Sequence, residues 1–167
     1  MTASGGTQGA VAAQAIAHAA SVLPPVPGTY ALVLDCPRSC TVTVGRLGRL
    51  RFPAGYYVYV GSALGPGGLR ARILHHLAAA RQPWWHVDYL RARTIPVEVW
   101  YRIGTARRED LWASALAEVA GACIERFGNT DCRCASHLFH FRRPPDSRCL
   151  LREPLSVFRP GAQPRTR

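Results

Sequence analysis

Arg72 and His76 stand one helical turn apart, at the border of an apolar stripe formed by Leu69, Ile73 and Leu77. A side chain there is held by packing on one flank and meets solvent on the other. A guanidinium in that place stays charged and offers a planar fork that matches two phosphate oxygens. That is what stabilising a phosphoryl-transfer transition state requires. An ordinary solvated helix face uses the same residue types. Tyr30, Tyr56, Tyr57 and Tyr59 crowd into two β-rich segments; tyrosines on strands are commonly half-buried packing. Cys132, Cys134 and His137, with Asp131 beside them, form a tight Cys-X-Cys-X2-His cluster of soft ligands suited to Zn²⁺. A fourth ligand would have to come from Cys123 or His86. His86 and Asp88 do not share a helix face, so a cap or a core contact competes with a functional pairing.

The elements that must position these groups follow from period and turn residues. Residues 29–34 are β-rich and apolar, residues 41–44 alternate, and residues 45–48 turn into 50–52: a strand followed by a hairpin. Residues 56–60 form an aromatic and β-branched strand, and 61–68 a loop rich in glycine. The period then changes to a helix over 69–80, with a short helix over 84–93, a strand over 97–101 and a longer helix over 108–124 that places Leu111, Ala115, Val119 and Ala122 on one face. The order predicts an α+β fold with a small antiparallel central sheet flanked by helices.

All the basic residues are arginine, and the 167-residue chain carries a net charge of +11, which points to a polyanionic partner. Apolar residues make up 48 %, enough for one core, whereas 13 Pro and 15 Gly argue against a coiled coil or helical bundle. No uninterrupted apolar stretch predicts a membrane span, and the free-thiol reading of six Cys suits a cytoplasmic protein. Residues 1–27 lack charged side chains and end in a proline block, so they read as a flexible, weakly helical leader. Residues 142–167 hold seven Arg and five Pro and read as a flexible basic tail.

Gly28-Thr-Tyr30, then Tyr59-Val-Gly61, then Gly68-Leu-Arg-Ala-Arg72 resemble the GIY-YIG nuclease superfamily, in which two strand motifs precede a helix with an essential arginine. Arg46-Leu-Gly48, the segment 55–63, Trp85-His-Val-Asp-Tyr-Leu90 and the segment 127–139 resemble its small prokaryotic branch, a domain of unknown function sometimes fused to endonuclease III. The resemblance covers residues 28–141. It implies a DNA endonuclease, with a role in repair, hydrolysing phosphodiesters with one divalent metal, Mg²⁺ or Mn²⁺. Carried over, Tyr30 and Tyr59 are the motif tyrosines, Arg72 steadies the scissile phosphate and His76 faces the same cleft; Arg70, Arg72 and His86 are expected against nucleic acid. The superfamily also uses a helix glutamate as metal ligand. The segment where it is sought has Ala113 and Ser114 at the positions of an expected acid and cysteine, leaving Glu118, Glu109 or Asp110 as substitutes. Two readings follow: a metal-dependent endonuclease, or a nuclease-fold module that binds nucleic acid without cutting it.

Overall fold

In the computed structural model, residues 5–78, 82–128, 135–150 and 154–161 are described. Strand β1 (Gly28–Cys36) is apolar at both parities, with Tyr30, Leu32 and Leu34 alternating with Ala31 and Val33. A strand of that pattern must be covered on both faces and belongs in the middle of a sheet. It pairs antiparallel with β4 (Gly55–Ala63) on one side and β5 (Ile95–Ile103) on the other. Beyond β4 lie β7 (Leu138–Phe141) and β6 (Ala122–Cys123), and beyond β5 lies β8 (Ser156–Phe158). The six-stranded sheet is antiparallel throughout. β2 (Cys40–Val44) and β3 (Gly48–Phe52) form the separate hairpin, its 3-10 turn using positive φ at Gly45 and Gly48. The α+β class expected from the sequence is the one observed.

The period of two divides the core. On one face Tyr30, Leu32, Leu34, Tyr57 and Tyr59 pack with Leu69, Ile73 and Leu77 of α2 (Gly68–Leu77) and with Val87 and Leu90 of α3 (His86–Arg91). On the other, Ala31, Val33, Val58, Val60 and Trp100 pack with Trp112, Ala113 and Leu116 of α4 (Glu109–Val119). The α2 stripe is therefore as predicted. The α4 stripe is not: Leu111 and Val119 are 48 % and 54 % exposed. The indole of Trp112 is the largest apolar surface on that helix, and burying it rotates the neighbouring leucine out. α4 also ends before Ile124, because the chain reverses at Ala120 and Gly121, where Gly121 N–H donates to the His140 carbonyl, and enters β6.

The leader and tail, expected to be flexible, join the fold. Residues Gly5–Val22 form α1, which packs on α2; Ala19 and Leu23 are fully buried in the first core. The proline block after it supplies caps: the Val26 and Pro24 carbonyls accept the Leu69 and Arg70 N–H groups that open α2. In the tail, Leu150 is buried in the second core and Phe158 in the first. The His18 ring lies 5.1 Å from that of Phe158, so leader and tail also meet each other. Composition favoured disorder in both because each lacks a core of its own; each borrows the domain's. No helix among the described residues is long and apolar enough to cross a membrane.

Candidate active site

The antiparallel register of β1 and β4 sets Tyr30 opposite Gly61, which leaves Tyr59 on the same face one diagonal away. A Cβ on Gly61 would stand 2.5 Å from the Tyr30 phenol oxygen, so only glycine leaves the ring its place. The two tyrosines, Arg72, Trp85 and His137 line a cleft of about 330 Å³ together with Glu109 and Asp110 of the first turn of α4. Arg72 is held over the Trp85 ring, its Cζ 4.0 Å from the centroid, which fixes the guanidinium at the cleft by a cation–π contact.

Behind Tyr30 runs a chain of polar contacts through the core. The Tyr30 hydroxyl and His76 Nε2 are 2.7 Å apart, His76 Nδ1 is 3.5 Å from Asp88 Oδ1, and Asp88 Oδ2 is 3.0 Å from His75 Nε2. Asp88 sits at the third position of α3 and its Oδ2 also accepts the backbone N–H groups of Trp84 and Trp85, each at 2.9 Å. His75, His76 and Asp88 present three ligand-type atoms within 4.8 Å of one another. Asp88 Oδ2 already receives three N–H donors and Oδ1 faces His76, so the carboxylate is satisfied by hydrogen bonds without an ion. Hydrogen bonds from His76 and His75 and from the Trp84 and Trp85 N–H groups outweigh burial and hold the Asp88 carboxyl well below the usual range. Burial pushes the His76 pKa down, against the pull of Asp88. Burial, helped by the neighbouring Tyr59, raises the Tyr30 phenol well above its ordinary value, and burial pushes Tyr59 up to about 12.

Tyr30, Tyr59 and Arg72 line the cleft, whereas His76, expected to face it, is buried behind Tyr30 and does not line it. Arg70, expected against nucleic acid, turns its Nε to the Leu23 carbonyl at 2.7 Å and tethers the leader. His86 accepts the Gly128 N–H at 3.0 Å through Nδ1 and joins α3 to the loop before β7. Glu118 is exposed and does not line the cleft, so it is no ligand candidate there. Ala113 is 1 % exposed inside the second core, on the opposite side of the sheet from the tyrosines. An acid does not belong there. Glu109 stands one turn earlier, at the first position of α4, and lines the cleft. Of the sulfur cluster, Cys132, Cys134 and Asp131 lie outside the described residues, while His137 lies at the cleft, where burial lowers its pKa against the opposing pull of Glu109 and Asp110. His75 was not singled out from the sequence; its proximity to Asp88 becomes visible only when α2 and α3 pack.

A family model described as "Domain of unknown function DUF123" matches residues 29–157. The chain belongs to that family. The match spans both tyrosines, Arg72, the Asp88 cluster and the α4 acids, and extends into the tail as far as β8, consistent with Leu150 being part of the core. No curated protein and no solved structure matches the chain.

Proposed function

We propose that this DUF123 domain is a metal-dependent DNA endonuclease of the GIY-YIG type. One observation carries the reading: two motif tyrosines, the helix arginine and two carboxylates line one cleft. The residues fit the divalent ion that such a nuclease requires, because Glu109 and Asp110 supply hard oxygen donors beside the tyrosines and the arginine. Bound there, Mg²⁺ or Mn²⁺ would supply Lewis-acid neutralisation of phosphate charge. Arg72 binds the scissile phosphate, its fork kept rigid by Trp85. Tyr30 and Tyr59 orient water at the phosphorus, and the His76 Nε2 behind Tyr30 is a place for a proton.

The net charge of +11 supports a nucleic-acid partner and predicts affinity that falls steeply with salt. The alternative reading, a module that binds nucleic acid without cutting it, rested on Ala113; the place of Ala113 in the core and of Glu109 at the cleft supports the enzyme reading over it. The test is hydrolysis of plain, flapped and branched DNA in Mg²⁺ or Mn²⁺ by wild type and Glu109→Gln. Cleavage that needs the metal and collapses in the variant supports the reading. Binding without cleavage on all three DNAs overturns it.

A further inference from the structure

Asp88 lies on no surface of the cleft, yet it ends the contact chain that begins at Tyr30. Its Oδ2 is bound by His75 and by the Trp84 and Trp85 N–H groups, which anchors the carboxylate and leaves Oδ1 facing His76. The His76 side chain is fully buried, and its Nδ1 makes no hydrogen bond among the described residues but lies 3.5 Å from that oxygen, the charged group it faces. An ionised carboxylate only accepts hydrogen bonds. Nδ1 therefore carries the ring proton, Nε2 is bare, and the contact at 2.7 Å is a hydrogen bond donated by the Tyr30 hydroxyl.

We infer that Asp88 is a positioning residue for the reaction: it fixes the tautomer of His76, which makes Tyr30 a donor into the core and turns its oxygen into an acceptor on the cleft side. Arg72 also reaches that oxygen there. The inference rests on the nuclease reading and adds the residue that sets its proton path. As the water oxygen bonds to phosphorus, its proton passes to the Tyr30 oxygen while the Tyr30 proton passes to His76 Nε2. The phosphorus–oxygen bond to the leaving strand breaks, and that oxygen takes a proton from solvent. The imidazolium formed at His76 is balanced by Asp88, and its proton returns to solvent after the products leave. His75, with a side chain 33 % exposed, braces the outer side of the carboxylate.

Nitrogen-15 NMR of the histidine rings in the full chain tests this, with the His76 signals assigned by His76→Gln. Wild type is expected to show Nδ1–H at His76. Tyr30→Phe is expected to keep that tautomer, since Asp88 sets it. In Asp88→Asn the amide oxygen still accepts the Trp84 and Trp85 N–H groups while the amide NH₂ faces Nδ1, so the tautomer reverses to Nε2–H and kcat falls by roughly a hundredfold or more with KM unchanged. An Nε2–H tautomer in wild type, a reversal in Tyr30→Phe, or an Asp88→Asn variant that folds and keeps full kcat overturns the inference. A wild type that cuts no DNA overturns the nuclease reading and with it the catalytic use of this path; the ring signals report separately whether Asp88 sets the tautomer.

Discussion

The cleft has two walls made differently. One is Tyr30 backed by His76 and Asp88, which do not line the cleft themselves; all three are at most 5 % exposed and held by hydrogen bonds, whereas on the other side Glu109 is half-buried and Asp110 exposed. A buried wall cannot exchange protons freely or reorient, so its protonation states are fixed by its partners. The open wall keeps hydrated carboxylates that can take up a cation and release it. The division suits a hydrolase in which one wall handles protons and the other neutralises phosphate charge, with Arg72 between them.

Changes at the two walls should separate accordingly. The largest effect is expected from Arg72→Ala: a loss of roughly 10³-fold or more in kcat/KM for DNA, because the guanidinium is the fixed cation at the scissile phosphate; rates at saturating metal check it. Next comes Glu109→Gln, expected to raise the Mg²⁺ or Mn²⁺ concentration needed for half-maximal activity while leaving the melting temperature near wild type. The metal titration and the melting curve read these two separately. Ala113→Glu should do the reverse, losing several kcal/mol of stability by forcing a carboxylate into a packed core, with no gain of activity. Denaturant unfolding decides it; a stable Ala113→Glu variant with enhanced cleavage would mean that the metal wall has been misplaced by one helical turn.

The smallest effect is acid sensitivity of the buried wall. The pKa of His76 is lowered on folding, so the unfolded chain binds its proton first: the contribution is complete above about pH 6.5 and declines as pH falls below it. His86 and His137 shift the same way, by burial. Asp88, also lowered, contributes stability that is present above the ordinary aspartate pKa and is lost only in stronger acid. Melting temperature should therefore fall between pH 7 and 5, and His76→Gln should flatten that slope. An unchanged slope would show that His76 is not the buried neutral base described here.

The buried wall was largely legible in the sequence and the open wall was not. Leu69, Ile73 and Leu77 announce the α2 face by spacing alone, and Arg72 follows at its border, whereas His76, expected at that border too, is buried. The phase of α4 is not legible, because Leu111 and Trp112 compete for the core and periodicity cannot decide which wins, so Glu109 stands in the sequence only as one of three substitutes for the acid that the resemblance seeks at Ala113. For Asp88 the sequence offers a cap or core contact beside a pairing with His86; the cap is what the structure has, and the contacts to His75 and His76 come only from packing against a helix distant in sequence. The leader reads as flexible for its proline block and the tail for its scarcity of large apolar residues, yet single side chains such as Leu23 and Phe158 suffice when the rest of the core is supplied. Deleting residues 142–167 should accordingly lower the melting temperature as well as weaken DNA binding.

The most direct test of the account is cleavage of flapped and plain DNA by the full chain in Mg²⁺, with Arg72→Ala measured beside it. The account predicts metal-dependent cuts by wild type that the arginine variant loses. Cuts of equal rate from both proteins, or none from wild type in either Mg²⁺ or Mn²⁺, would contradict it.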